Sequence, residues 1–330
     1  MRAVVIDEFG PVENHQLKEI NKPKPGEGEV LIDVVAIGVN FPDTLMMQGL
    51  YQTKPQRPFT PGRDIAGTVT EVGSGVVEFS PGDRVVAIVP WGGYAEFAVA
   101  PVARCFSLPD HVDYETAAGM ITTYMTAWVA LMERGAYNVG EKVLVLGASG
   151  GVGLAAIQII KAKGGVAVGG SLSAASRKVV TENGADAVID LARGDPKESL
   201  RAQVFEAVGE DGVDICLDPV GGQYFDAALR ALSFAGRIVV IGFVDGIPTA
   251  RPNYFNVKNL TMAGMALDLH FRFKPEVINK AISDIFLMYK EKSISPVITS
   301  VVALDKWKDA VTQIGKGKSA GKIVLSTSRE

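Results

Sequence analysis

Residues 143–153 read Val143-Leu144-Val145-Leu146-Gly147-Ala148-Ser149-Gly150-Gly151-Val152-Gly153, and this stretch decides the fold. An apolar run leads into a glycine-rich turn, and residues 154–161 continue with the composition of a helix. A strand, a glycine turn and a helix in this order begin a dinucleotide-binding unit, because glycines let the backbone approach a pyrophosphate closely. The N–H groups at the start of the helix would face the phosphates.

The hundred residues after this turn alternate between strand-like and helix-like segments. Such alternation predicts a doubly wound parallel sheet of the Rossmann type, an α/β fold with helices on both faces. We expect further strands at 166–169, 187–189, 213–217, 237–241 and 260–263, with helices over 173–183, 197–208 and 223–232. Ligands bind beyond the carboxyl ends of such strands. The candidate cofactor contacts at those ends are Ser149, Gly150, Gly151, Val152, Ser171, Gly242 and Phe243.

The end of the second strand indicates which nicotinamide cofactor is bound. Sites for NAD usually place an Asp or Glu about 20 residues after the glycine turn, but residues 169–173 read GGSLS. Arg177 follows in the next turn, and a guanidinium beside small hydroxyls suits a 2′-phosphate. We therefore predict NADPH as the cofactor. The alternative is that Arg177 is an ordinary solvated helix charge.

Length and composition exclude several classes of protein. A chain of 330 residues is too long for one ordinary core, so two domains are expected. The net charge of −4 gives no basic field for nucleic acid. Cys105 and Cys216 lie among apolar neighbours, which is typical of buried thiols in a reducing compartment. The N-terminus lacks the apolar core of a signal peptide, and we expect a cytoplasmic protein with neither nucleic-acid nor membrane partners.

Both ends of the chain are richer in β-like runs and turn signals than its middle. Short runs of this kind lie at 29–39, 65–72, 83–89, 94–99, 298–304 and 322–326. They predict a mostly antiparallel β domain, built from both chain ends, into which the nucleotide domain is inserted. We expect its first part at 1–124, the nucleotide domain at 125–265 and its C-terminal part at 266–330. Substrate would then lie in the cleft between the domains.

Six motifs together resemble one family. They are Gly38-Val39-Asn40-Phe41-Pro42-Asp43, Gln48-Gly49-Leu50-Tyr51, Pro61-Gly62-Arg63-Asp64-Ile65-Ala66-Gly67, Gly82-Asp83-Arg84-Val85, the glycine turn at 147–153, and Asp218-Pro219-Val220-Gly221-Gly222. The chain resembles a zinc-free medium-chain dehydrogenase/reductase of the quinone oxidoreductase (zeta-crystallin-like) branch over nearly its whole length. The resemblance implies a β-rich GroES-like catalytic domain around the Rossmann domain. It also implies a homodimer through an edge strand at 260–263.

The resemblance also bears on zinc and on the acceptor. Zinc-dependent relatives carry Cys where Asn40 stands and His where Arg63 stands. Two cysteines and three scattered histidines cannot supply a zinc ligand set. Without a Lewis acid, the expected chemistry is hydride delivery to an acceptor that is already electrophilic, such as a quinone, a conjugated enone or an enoyl thioester.

By resemblance, three side chains would serve the reaction. Asn40 would lie near the nicotinamide ribose and the substrate, Thr126 would hydrogen-bond the cofactor, and Tyr51 matches a tyrosine that donates to the developing enolate in enoyl thioester reductases. The alternatives are a turn-stabilising Asn, a helix Thr and a packed aromatic ring. We interpret Arg63 and Asp64 as an ion pair rather than as acid–base groups.

Many NADPH-using relatives have a tyrosine after the third strand, where this chain has Leu191. Arg177 or Arg193 would have to compensate for it.

Three functions stay open at this point. The first is an NADPH-dependent reductase of quinones or small conjugated enones that uses no metal. The second is a 2-enoyl thioester reductase that depends on Tyr51. The third is an NADPH-binding protein whose main role is not catalysis.

Overall fold

The computed structural model describes residues 1–317 and 320–327, which form two compact units. One unit comprises Met1–Thr122 and the described residues of Pro296–Glu330, and the other comprises Thr123–Ser295. The first is called the terminal unit below, and the second the central unit.

The helices and strands are numbered in chain order. The strands are β1 (Arg2–Val5), β2 (Gln16–Glu19), β3 (Glu29–Gly38), β4 (Asp64–Val72), β5 (Arg84–Ile88), β6 (Phe97–Pro101), β7 (Cys105–Ser107), β8 (Lys142–Leu146), β9 (Val166–Ser171), β10 (Ala187–Asp190), β11 (Val213–Asp218), β12 (Leu232–Val240), β13 (Thr261–Gly264), β14 (Ile298–Ala303) and β15 (Lys322–Ser326). The helices are α1 (Phe41–Met47), α2 (Tyr114–Trp128), α3 (Gly151–Ala162), α4 (Ala174–Glu182), α5 (Pro196–Val208), α6 (Gly222–Ala231), α7 (Pro252–Lys258), α8 (Leu267–Phe273), α9 (Pro275–Lys290) and α10 (Trp307–Gly315).

The central unit contains a six-stranded sheet in the order β10-β9-β8-β11-β12-β13. Every neighbouring pair in it is parallel. Helices cover both faces of this sheet, so its strands consist of nearly unbroken apolar runs. Leu144, Val168 and Ile238 on these strands are fully buried. The doubly wound Rossmann sheet predicted from the sequence is therefore confirmed.

The terminal unit contains a seven-stranded sheet that follows the order β14-β15-β3-β4-β5-β7, with β6 also paired to β3. All of its pairings are antiparallel except that of β14 with β15. A two-stranded sheet of β1 and β2 lies in the same unit. This agrees with the predicted β-rich GroES-like domain, which β15 completes from the far end of the chain.

The second boundary between the units lies later than expected. The structure places residues 266–295 in the central unit, whereas the sequence analysis ended the nucleotide domain at 265. The cause is α9, whose apolar face is buried, and whose Asp284 accepts hydrogen bonds from Trp128 Nε1 at 3.1 Å and Lys163 Nζ at 3.3 Å. Both donors belong to the central unit.

Across the described residues, no helix is long and apolar enough to cross a bilayer.

Candidate active site

In the glycine turn between β8 and α3, backbone atoms pack so closely against one glycine that it tolerates no side chain. A Cβ on Gly153 would lie 2.5 Å from the carbonyl oxygen of Gly147 and 2.6 Å from the Cα of Ala148. Gly147 itself has a φ of 60°, in the left-handed region that favours glycine. The backbone therefore folds back on itself at the carboxyl end of β8, with Ser149 in the turn.

The start of α3 presents donors without side-chain caps. Gly150 is the N-cap residue and has no side chain that could accept from the first turn. The amides of Gly151, Val152 and Gly153 have no acceptor within the helix, because the first turn of any helix leaves its N–H groups unpaired. Together with the positive end of the helix dipole, they form a site for an anion such as a pyrophosphate.

Ser171 ends β9 beside this turn, and its side chain is only 2% exposed. Among the described residues, its Oγ has no hydrogen-bond partner. A buried hydroxyl without a partner is costly unless a ligand satisfies it. Ser171 therefore fits a dinucleotide, whose ribose or phosphate oxygens would supply the missing partner.

The ends of β11 and β12 complete the same edge of the sheet. Asp218 Oδ1 accepts the N–H groups of Val220 at 2.9 Å and Gly221 at 2.8 Å, and burial raises the pKa of its carboxyl. The Gly242 N–H donates to the Asp218 carbonyl oxygen, and Phe243 next to it is about half exposed. The predicted contacts at the strand ends thus share one edge, because all strands run in parallel.

Two other predicted cofactor contacts, Thr126 and Arg177, and the family departure at Leu191 lie in different surroundings. Thr126 lies on α2 and is buried. Leu191 is also buried, and it packs where a Cβ on Gly170 would lie. Arg177 NH1 forms an ion pair with Asp190 Oδ1 at 2.8 Å and also donates to the Leu172 carbonyl. Arg177 is therefore not simply a solvated charge, and its partner Asp190 was not expected from the sequence.

Asn40 belongs to a buried polar network in the terminal unit. Its Nδ2 donates to Asp64 Oδ2 at 2.9 Å and to the Gly38 carbonyl at 3.3 Å. Its Oδ1 accepts from Lys322 Nζ at 2.7 Å. Both ends of the amide are therefore held by protein groups, and Asn40 immediately precedes α1. This geometry favours the turn-stabilising role that the sequence analysis kept as an alternative.

Lys322, at the start of β15, was missed by the sequence analysis. Its ammonium donates to the Val39 carbonyl at 2.8 Å and lies 3.8 Å from Asp64 Oδ2. Burial lowers the pKa of Lys322, although the nearby carboxylates of Asp64 and Asp43 oppose that change. The ion pair proposed for Arg63 and Asp64 needs correction, since Asp64 pairs with Lys322.

Asp43 is fully buried behind Asn40. Its Oδ2 accepts the Asn40 N–H and the Tyr94 hydroxyl, each at 2.9 Å. Burial, reinforced by the charge of Asp64, raises the pKa of Asp43 from 3.8 to about 6, against the effect of these hydrogen bonds. Asp43 holds the start of α1 in place and lies away from solvent.

The raised pKa of Asp43 predicts a pH-dependent stability. The native state holds the proton more tightly than the unfolded chain, so this group's stabilising contribution is complete below about 3.8. It is lost as pH rises towards about 6. We expect urea unfolding across this window to show wild type losing stability relative to Asp43→Asn, with a slope approaching about 1.4 kcal/mol per pH unit. Parallel stability curves for the two proteins would contradict the prediction.

Tyr51 follows α1 in the chain and is partly buried against the core of the terminal unit. Its hydroxyl oxygen accepts from Arg63 NH1 at 3.3 Å, and Arg63 Nε donates to the Val89 carbonyl at 3.3 Å. A phenol oxygen that accepts a hydrogen bond can still donate through its own O–H, so Tyr51 has the chemistry of a proton or hydrogen-bond donor. The ring also packs against the core of the terminal unit. The position of Tyr51 is therefore compatible both with a donor role and with a packing role.

The residues at the positions of the zinc ligands do not fit a zinc ion. Asn40 turns its amide nitrogen to Asp64 and gives its oxygen to Lys322. Arg63 offers a guanidinium, which has no lone pair to donate to a metal. Within residues 1–317 and 320–327, no group of three or more His, Cys, Asp or Glu is placed to hold a metal ion.

Comparison with known proteins gives two matching family models. Residues 26–110 match the alcohol dehydrogenase GroES-like domain, and residues 151–286 match the zinc-binding dehydrogenase domain. Human quinone oxidoreductase is 35% identical over 328 residues, which cover 98% of this chain and 97% of that protein.

Solved structures extend this similarity. Mycobacterial Rv1454c complexed with NADPH has a TM-score of 0.92 at 30% identity, covering 99% of this chain and all of that one. Escherichia coli quinone oxidoreductase complexed with NADPH has a TM-score of 0.90 at 27% identity, with the same coverage.

Proposed function

The chain belongs to the medium-chain dehydrogenase/reductase family, in its quinone oxidoreductase branch, and from this we propose that it is an NADPH-dependent oxidoreductase reducing a quinone or small conjugated enone without a metal ion. The observation that supports cofactor binding most directly is the buried, unpartnered Oγ of Ser171 beside the glycine turn. The solved relatives complexed with NADPH support the choice of cofactor.

When bound, NADPH supplies the hydride. The amides of Gly151, Val152 and Gly153 would hold its pyrophosphate, and Ser171 would satisfy an oxygen of the adenosine half. Gly242 and Phe243, at the end of β12, would border the same edge of the sheet, and Thr126 would hydrogen-bond the cofactor. Arg177 would pair with the 2′-phosphate in place of Asp190.

Reduction of an enone or an enoyl thioester also needs a group that stabilises the charge developing on the substrate oxygen. We assign this role to the hydroxyl of Tyr51, whose oxygen accepts a hydrogen bond from Arg63. Asn40 would act by fixing the chain before α1 and would keep its predicted place near the nicotinamide ribose. The acceptor must already be electrophilic, because the residues at the zinc-ligand positions offer no metal site.

A panel of acceptors tests this function. NADPH oxidation would be followed with a benzoquinone, a naphthoquinone, a small enone and a 2-enoyl coenzyme A. We expect turnover with a quinone or the enone. Fastest turnover with the thioester would favour the alternative function, an enoyl thioester reductase. Tight NADPH binding with no turnover of any acceptor would favour an NADPH-binding protein that is not an enzyme.

One observation favours the thioester alternative, and one weakens it. The Tyr51 hydroxyl beside Arg63 suits an enolate oxygen. A coenzyme A tail, however, would need basic groups besides Arg63, and the nearby sequence offers Lys54 and Arg57 for this. The Arg57 guanidinium lies over the ring of Phe9 at 4.7 Å, so part of its charge is already engaged. Quinones and small enones remain the preferred acceptors.

A homodimer and a cytoplasmic location stay predictions. β13 is at the edge of the central sheet, where it pairs with β12, and Met262 on it is half exposed. An edge strand with open backbone groups can pair with a second copy. Sedimentation of the 35.0 kDa chain would decide whether it associates in solution.

A further inference from the structure

Ser171 and Asp190 lie side by side at the carboxyl edge of the central sheet. They are register partners at the ends of the parallel strands β9 and β10. Partners in a parallel pair place their side chains on the same face, as do alternate residues of one strand. A Cβ on Gly169, two residues before Ser171, would meet Val180 of α4, so this is the face that α4 covers.

Arg177 reaches this point from the first turns of α4. Its NH1 contacts Asp190 Oδ1 at 2.8 Å, and the same oxygen accepts the Ala192 N–H at 2.9 Å. Asp190 Oδ2 makes no hydrogen bond within the described residues. One carboxylate therefore holds the guanidinium predicted for the 2′-phosphate, and it keeps an open acceptor oxygen beside Ser171.

We propose that Asp190 sets the cofactor preference and makes this site accept both NADPH and NADH. This inference rests on the proposed function, since it concerns the adenosine end of the same nucleotide site. A 2′-phosphate must compete with Asp190 for Arg177 and is repelled by the carboxylate. The ribose hydroxyls of NADH can instead donate to Oδ2, in the role that an Asp at the end of the preceding strand plays in common NAD sites.

A purely structural role for the pair is a weaker explanation. The Arg177 and Asp190 side chains are 26% and 32% exposed, and exposed ion pairs contribute little to folding stability. Asp190 also accepts a backbone N–H, which asparagine could do equally well. Removing its charge should therefore change the choice of ligand much more than it changes the fold.

Calorimetric titration of wild type and Asp190→Asn with NADPH and with NADH tests the proposal. The control is Glu182→Gln, which removes a negative charge from α4, the helix that carries Arg177. Glu182 pairs there with Lys178 at 3.7 Å. We expect wild type to bind the two cofactors within about tenfold of each other. We expect Asp190→Asn to bind NADPH more tightly and NADH more weakly, shifting the ratio by roughly tenfold, while Glu182→Gln keeps the wild-type ratio.

Two results would overturn the inference while the proposed function stands. One is an unchanged ratio in Asp190→Asn, and the other is a wild type that already favours NADPH by more than about a hundredfold. Failure of wild type to bind either cofactor would remove the proposed function, and this inference with it. Circular dichroism of each variant confirms that the titrated protein is folded.

Discussion

Lys322→Met is expected to lower the free energy of unfolding by about 3–5 kcal/mol, because it leaves the carboxylate of Asp64 buried without its cation. Asp64 is fully buried, and its remaining partners are neutral donors such as the Asn40 amide and the Thr122 hydroxyl. These donors cannot compensate for the loss of a charge in a site that excludes water. Urea denaturation of the two proteins measures the difference.

Two further variants test whether the loss of stability comes from the unpaired charge of Asp64. Lys24→Met removes an exposed lysine from the same unit and should change stability by less than about 0.5 kcal/mol. Combining Lys322→Met with Asp64→Asn removes both charges and should recover part of the loss, since an unpaired buried charge costs more than a missing pair. A loss below about 1 kcal/mol in Lys322→Met alone would show that Asp64 does not depend on this ammonium.

Tyr51→Phe is expected to lower kcat for enone or enoyl thioester reduction by about 100-fold or more. The phenol hydroxyl is the group proposed to donate to the oxygen on which charge develops, and its oxygen accepts a hydrogen bond from Arg63. Quinone reduction should lose much less, because a quinone can take up hydride without that donor. Steady-state kinetics with both acceptors, at saturating NADPH, give the two values of kcat.

Tyr114→Phe is the matched control for this experiment. Tyr114 is also a tyrosine of the terminal unit beside an arginine, with Arg84 4.8 Å from the centre of its ring and its hydroxyl 2.9 Å from Thr68 Oγ1. Losing that hydroxyl should leave kcat for both acceptors unchanged. An equal fall for both acceptors in Tyr51→Phe would refute the division of roles between them, and unchanged kinetics would leave Tyr51 as a packing residue.

The central unit was predictable because its signals are local. Each strand of its sheet is a short apolar run bounded by glycine or polar residues, and each intervening helix has its own apolar spacing. The short helices α7 and α8 were missed, since each has only seven residues and neither buries a full apolar face. α9 lies within the residues 266–330 that were expected in the β domain, because the sequence of a helix does not reveal which core it packs against.

The network around Asn40 was not predictable because its members are far apart in the sequence. Lys322 is 282 residues from Asn40, and the run Lys322–Ser326 gives only a weak sign that its lysine is buried. A lysine opening an otherwise apolar strand near the chain end was the only available signal. The pairing of Asp190 with Arg177 was equally unpredictable, because it depends on how α4 packs against the end of β10.

The closure of the terminal unit by β15 has a consequence for synthesis of the protein. Residues 36–38 of β3 pair with residues 324–326, which leave the ribosome almost 290 residues later. The central unit is one continuous segment and can fold in the meantime. Until the last strand emerges, the nascent chain carries an open β edge and an Asp64 without its ammonium. A ribosome that stops short of residue 322 therefore releases a polypeptide prone to aggregate, even though its nucleotide-binding half is complete.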